Sequence, residues 1–244
     1  IAALTACGSD HDEGTPITVT LLHVNDHHSR LDEETIVLSL PDAAGTPRSV
    51  TVAMGGFARV AAAINEEAAK SPNAIKLHAG DALTGDLYFT QSEGEADAAA
   101  MNTVCFDAMT IGNHEFDNGD AGLAKFIGFL QKNPSTCNTP LLSANLATAA
   151  SSPIAGRFKP YLLLTRSGQT IGVVGVTAAT KTKNASRPDA ATTFADEVAS
   201  TQKAIDELKA QGVDKIVVMS HVGYPVDVSR LAPQLDGVDV IVGG

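Results

Sequence analysis

The feature that most restricts how this chain can fold is a pairing that recurs along it: a short apolar run, rich in β-branched residues, that ends abruptly in a polar cluster. ITVTLLHV over 17–24 leads into Asn25-Asp26-His27-His28, and AIKLH over 74–78 leads into Gly80-Asp81. The run over 108–111 leads into Gly112-Asn113-His114-Glu115, and that over 215–219 into Ser220-His221. Runs of this length without alternation read as strands covered on both faces, as in a largely parallel sheet. In an open α/β sheet, ligands gather outside the carboxyl ends of the strands, so side chains released there can surround a common point.

The segments between these runs supply helices and hairpins. Phe57, Val60, Ala61, Ile64 and Ala68 recur at helical spacing until Ser71-Pro72-Asn73 stops them. Further helices are predicted over 96–104, 121–131 and 194–210, the last with Ile205 and Leu208 inward, and a loop is predicted between 78 and 96. Runs over 35–40 and 49–54 flank a turn holding Pro41, Gly45 and Pro47 and read as a hairpin. Those over 161–165 and 171–176, joined through Ser167-Gly168, read as a second. Strands are also predicted over 141–144 and 238–242. Strands alternating with helices, with antiparallel hairpins inserted, predict a mixed α/β sandwich rather than a purely parallel doubly wound sheet.

Composition narrows the partners. A length of 244 residues fits one α/β domain or a piece of a larger protein. No apolar run approaches the roughly 18 residues of a spanning helix. Seventeen Lys and Arg against 28 Asp and Glu leave a formal charge of −11, which opposes a phosphate backbone and argues against duplex nucleic acid. At the amino end, Leu4-Thr5-Ala6-Cys7 followed by a polar run to Glu13 reads as the end of a lipoprotein signal, with residues 1–16 a signal remnant and tether. Cys7 would then carry the lipid, and the protein would sit in the periplasm or on the cell surface; the alternative is a frayed apolar terminus with an ordinary cysteine. With Cys7 lipidated, Cys105 and Cys137 remain as an even pair, free to form a disulfide in an oxidising compartment. Two buried thiols are the other reading.

Each polar residue at a strand tip has a plain explanation when taken singly. Asp81 after a glycine can be a turn residue, Asn113 a left-handed loop position, and His221 a core histidine bonded to a carbonyl. Four such clusters at successive strand ends point instead to a site for two metal ions. Carboxylate, amide oxygen and imidazole together suit Zn, Mn, Fe or Co better than Ca, which takes oxygen alone.

The order Asn25-Asp26-His27-His28, Gly80-Asp81, Gly112-Asn113-His114-Glu115-Phe116-Asp117 and His221 resembles the calcineurin-like metallophosphoesterase domain of the bacterial 5′-nucleotidase family. The resemblance runs from residue 17 to 244. LHVNDHHS over 22–29, LHAGDA over 77–82, LYFT over 87–90 and ADAA over 96–99 are most similar to the NAD nucleotidases, which split NAD to NMN and AMP and dephosphorylate the mononucleotides. It implies an α/β fold, specifically a mixed-sheet α-β-β-α sandwich, with residues 17–244 as the catalytic domain. It further implies two divalent ions, with Asp26 and His28 on the first, Asp81 bridging, and Asn113 and His221 on the second. His114 resembles the family's catalytic histidine, with Asp117 to orient it; Asp117 as a helix cap before Asn118-Gly119 is the alternative. His27 stands at no family ligand position, and His23 and His78 are expected to be packed or to support the ligands from behind.

The activity implied is hydrolysis of extracellular nucleotides by a metal-activated water, with a small-molecule nucleotide as partner. Runner-up readings are a 2′,3′-cyclic nucleotide phosphodiesterase, a thiosulfohydrolase of the same fold, or a non-catalytic surface-binding lipoprotein. In the family a turn with two more ligands and a nucleotide-binding C-terminal domain follow the position of Gly244, so the resemblance implies weak metal binding and poor turnover by these 244 residues alone.

Overall fold

Each short apolar run becomes a strand, and the period of two decides what each strand faces. The computed structural model describes residues 16–244, so the reading of Cys7 as a lipid anchor lies outside the described residues. In chain order the strands and helices are β1 (Thr20–Val24), β2 (Glu33–Pro41), β3 (Pro47–Gly55), α1 (Phe57–Lys70), β4 (Ala74–His78), α2 (Leu87–Ser92), α3 (Glu95–Val104), β5 (Ala108–Thr110) and α4 (Gly119–Leu130). There follow β6 (Leu141–Leu142), β7 (Leu146–Ala147), β8 (Phe158–Lys159), β9 (Tyr161–Arg166), β10 (Gln169–Thr177), α5 (Ala179–Ala185), β11 (Thr193–Phe194), α6 (Glu197–Ala210), β12 (Ile216–His221) and β13 (Val240–Gly243). Short helical turns between Tyr224 and Gln234 link the last two strands.

The larger sheet runs β1-β4-β5-β6-β8 and is parallel throughout. The smaller runs β13-β12-β10-β9, with only β9 antiparallel to its neighbour. Ile75, Leu77, Ala108 and Leu142 of the first sheet pack against Ile171, Val173, Val217 and Met219 of the second. The alternate residues of the second sheet, Val174, Val176, Ile216 and Val218, turn outward onto Ala204, Ile205 and Leu208 of α6. Phe57 and Ile64 of α1, Met101 of α3 and Leu123, Phe126 and Ile127 of α4 cover the other face of the larger sheet. The result is the mixed-sheet α-β-β-α sandwich that the sequence predicts. Because β1, β4 and β5 are parallel, their carboxyl ends share one edge. The end of β12 joins them there, where Nδ1 of His221 lies 2.7 Å from the carbonyl oxygen of Ala79.

Cys105 and Cys137 are joined in a disulfide that ties the end of α3 to the segment before β6. Several local expectations need correction. The stretch predicted as a loop contains α2, whose six residues are too few to show a helical repeat. The helix predicted from 194 begins at Glu197, because the Asp196 carboxylate accepts the N–H of Ala199 and caps it, while Phe194 pairs with Leu146 in a separate two-stranded ladder. Strand β1 starts at Thr20 rather than at 17. His23 is exposed, neither packed nor supporting the site. The hairpin β2–β3 pairs only with itself and exposes Val37 and Met54.

Candidate metal centre

Two loops carry three of the five candidate ligands, and the backbone is bent to bring them together. Asp26, His28 and Ser29 after β1, and Asp81 after β4, all have positive φ, between 48° and 55°. Such geometry costs about 1–3 kcal/mol per residue and persists only where its surroundings over-determine it. The two loops hold each other in it: the N–H groups of Asp26, His28 and Ser29 donate to the carbonyls of Gly80, Asp81 and Ala82, at 2.9, 3.3 and 2.9 Å. A third segment closes against them. A Cβ on Gly112 would lie 2.2 Å from Oδ1 of Asp81, so only glycine fits before Asn113.

The imidazoles are oriented by what stands behind them. Nδ1 of His28 lies 3.1 and 2.9 Å from the carbonyl oxygens of Leu83 and Thr84, and Nδ1 of His221 lies on that of Ala79. A carbonyl only accepts, so each Nδ1 carries the hydrogen and each Nε2 is left toward the site. Nε2 of His28 is 3.5 Å from Oδ1 of Asp26 and 3.9 Å from Oδ2 of Asp81. Nε2 of His221 is 3.0 Å from the same Oδ2. Imidazole lone pairs set against carboxylate oxygens repel unless a proton or a cation stands between them. The Asp26 carboxylate accordingly raises His28 to about 9, against the effect of burial. Burial also opposes charge on Asp26, but hydrogen bonds from His28 and Asn25 outweigh it and hold that carboxyl at about 2.

Asp81 is itself buried, which disfavours its charge, yet His221 beside it and the His114 N–H on Oδ1, at 2.8 Å, keep its carboxyl below the usual range. Its Oδ2 has no hydrogen-bond donor in line with it, and neither Oδ1 nor Nδ2 of the fully buried Asn113 has a partner. Leaving such groups unsatisfied costs about 1–3 kcal/mol each. Unspent oxygen lone pairs on Asp81 and Asn113, with imidazoles turned toward carboxylates, form a donor set that fits first-row divalent ions. Single ligand atoms of His28, Asp81 and His114 lie within 4.8 Å of one another, as do those of Asp26, Asp81 and His221. Asp81 thus belongs to both groups, as a bridging carboxylate must. Asp26 lies 3.5 Å from His28 and also shares a group with His221, so the grouping by itself does not divide the ligands into the pairs that the resemblance implies.

His114 opens a short 3-10 turn, and its Nδ1 lies 2.7 Å from Oδ2 of Asp117. The residue capping α4 is Asn118, and the Asp117 side chain is given to His114 instead. Two acids with no role in the sequence reading support the loops. Glu115, fully buried, accepts the N–H groups of Asp81, Ala82, Leu83 and Gly112 at 2.7–3.3 Å. Burial and the nearby charge of Asp81 raise it to about 7. Asp97, equally buried, faces His27 and Ser29. Asp97 did leave a signal in the sequence, since it shares the stripe of Met101 and Val104 at i, i+4 and i+7, where an acid is out of place.

A family model described as calcineurin-like phosphoesterase matches residues 19–244. The chain is 40% identical over 242 residues to the "Probable 5′-nucleotidase" of Treponema pallidum, covering 99% of this chain and 39% of that one. It is 39% identical to the NAD 5′-nucleotidase of Haemophilus influenzae, covering 93% and 36%. The solved structure of the NAD nucleotidase of Haemophilus influenzae superposes with a TM-score of 0.83 at 39% identity, covering 93% of this chain and 38% of that one. The chain therefore spans less than two-fifths of the length of these relatives.

Proposed function

The chain belongs to the calcineurin-like phosphoesterase family, and from that premise we propose that it is the catalytic part of a hydrolase that removes phosphate from nucleotides with the help of two divalent ions. The observation that carries this reading is the convergence on Asp81: a buried carboxylate oxygen without a hydrogen bond, faced by Nε2 of His221 and Nε2 of His28, beside the unpartnered amide of Asn113. We assign Asp26, His28, Asp81, Asn113 and His221 as the ligands. Ions held there would polarise the phosphoryl oxygens and acidify the attacking water.

The chain's own residues supply the rest. The carbonyls behind His28 and His221 fix which nitrogen each presents. Glu115 holds the Asp81 turn by its backbone. His114, steadied through Nδ1 by Asp117, turns its other nitrogen toward the transferring group, where it stabilises charge and holds a proton for the leaving oxygen. The relatives favour 5′-nucleotides and NAD as substrates. Phosphate release from AMP and NMN, and cleavage of NAD and of 2′,3′-cyclic AMP, should be compared with Mn, Zn and Co present. Release from AMP or NMN that Asp81→Asn abolishes supports the proposal; activity confined to the cyclic diester, or unchanged in the variant, overturns it.

The location proposed is outside the cytoplasm, with Cys7 lipidated. It is supported by the disulfide between Cys105 and Cys137, a bond that persists in oxidising compartments, and by Leu4-Thr5-Ala6 before the cysteine. Mass spectrometry of the protein from its own cells should find the lipid on Cys7, and Cys7→Ser should move the protein out of the membrane fraction.

A further inference from the structure

Asp97 sits in the first turn of α3 with no exposed surface, and both of its carboxylate oxygens are used. Nε2 of His27 lies 3.3 Å from Oδ1, and the hydroxyl of Ser29 donates to Oδ2 at 3.1 Å. His27 and Ser29 are the residues that flank His28, and His27 also follows Asp26. One carboxylate from outside the loop therefore grips it on both sides of a candidate ligand.

The grip extends to the second loop. Nδ1 of His27 lies 3.0 Å from Nε2 of His78, and Nδ1 of His78 accepts the N–H of Gly80 at 3.2 Å, next to Asp81. The network admits one arrangement of protons with both rings neutral. The backbone N–H can only donate, so Nδ1 of His78 is bare and its Nε2–H donates to His27; Nε2–H of His27 then donates to Asp97. The His27 and Phe57 rings, with centroids 4.9 Å apart, and the His78 and Phe106 rings, 5.3 Å apart, wall the line with apolar surface.

We propose that Asp97 is a positioning residue: by accepting from His27 and Ser29, and through His78 from the Gly80 turn, it holds the Asp26–His28 loop and the Asp81 turn in the one register in which their side chains converge. It touches none of the converging atoms itself. The proposal rests on the reading of Asp26, His28 and Asp81 as metal ligands. The loops' mutual backbone bonds hold the positive-φ segment from one side, and Asp97 adds the side-chain anchor that holds it from the other.

The test is Mn2+ and Co2+ titration of the chain by calorimetry, with Asp97→Asn as the main variant. Asparagine has the same shape but offers one accepting oxygen where two donors arrive, so one donor meets an NH2 group. Metal affinity is expected to fall by at least about tenfold, the lower end of what loss of a ligand's supporting partner costs. Ser29→Ala, which removes one arm, should fall by less. Asp120→Asn is the control: that carboxylate is equally buried, accepts from the hydroxyls of Ser152 and Thr192 and the N–H of Asp189, and reaches neither ligand loop. It should lower the melting temperature and leave metal affinity intact.

Imidazole 15N shifts add a readout independent of metal. In the parent chain His78 should show Nε2–H and a bare Nδ1, and Asp97→Asn should mix the tautomers. Unchanged affinity and unchanged shifts in Asp97→Asn, or affinity lost in Asp120→Asn to the same extent, overturn the proposal. If Asp97→Asn does not fold, Ser29→Ala decides by the same two measurements. A parent chain that binds neither ion overturns the assignment of the ligands, and this proposal with it.

Discussion

The two oxygens of Asp81 have different tasks: Oδ1 accepts the N–H of His114 at 2.8 Å, while Oδ2 stands without a hydrogen bond beside His221. An asparagine keeps the first task and loses the charge of the second. Asp81→Asn should fold with a melting temperature close to that of the parent and yet show no saturable Mn2+ binding in calorimetry. His114 is a sharper case, because one of its ring nitrogens is near enough to His28 and Asp81 to be a ligand itself. If it acts on the phosphoryl group, His114→Asn should lower kcat by about 10²–10⁴-fold and leave metal affinity unchanged; a matching loss of affinity would make it a ligand instead. A third residue reads out in pH. Asp227 accepts the hydroxyl of Ser220, and its burial raises its carboxyl above the ordinary value of 3.8. Over the window just above 3.8 the folded chain keeps a proton that the unfolded chain has released, so stability falls as pH rises through it. Asp227→Asn should therefore raise the melting temperature at neutral pH and have little effect near pH 3.8. Asp26, His28, Asp81, Asn113 and His221, the proposed ligands, stood out in the sequence because each is a polar residue following an apolar run. Glu115 was not assigned a role, because its work is done on backbone N–H groups that no spacing records; Asp97 is marked only by its place in the apolar stripe of Met101 and Val104, which shows that it is buried but not which loop it grips.

Elements were legible in proportion to their length. The predicted segments at α1, α4, β10 and β12 span enough residues for a period to show. The strands β7, β8 and β11 have two residues each, less than any repeat, and have no counterpart among the predicted segments; β6, equally short, falls within the strand predicted over 141–144. The pairing of Cys105 with Cys137 came from parity alone, and it acts at this scale by holding α3 against the chain entering β6. The bridge closes a separation of 32 residues, which in the chain-entropy account stabilises the fold by about 3–4 kcal/mol. Replacing both cysteines by alanine should lower unfolding stability by that amount in urea titration. Since neither cysteine touches the ligand loops, Mn2+ affinity in the variant should match that of the oxidised parent.

At the scale of the molecule, the site exists only because two sheets are pressed together. Asp26, Asp81 and Asn113 leave the edge of one sheet, and His221 leaves the other, so the contact between Nε2 of His221 and Asp81 spans the sandwich. Stability and site geometry are then coupled through one layer of the core and uncoupled through another. Leu77 lies in the layer between the sheets, and Leu123 lies between α4 and the outer face of the larger sheet; both are fully buried. Truncating either to alanine removes the same atoms and costs about 2–5 kcal/mol. The consequences differ in kind. A cavity at Leu77 lets one sheet shift against the other and moves His221 relative to Asp81, whereas a cavity at Leu123 loosens a helix that carries no ligand. Leu77→Ala should weaken Mn2+ binding in calorimetry well beyond Leu123→Ala at equal loss of stability in urea titration. Equal affinities in the two variants would show that the ligand loops keep their register through their own hydrogen bonds, independently of how the sheets pack.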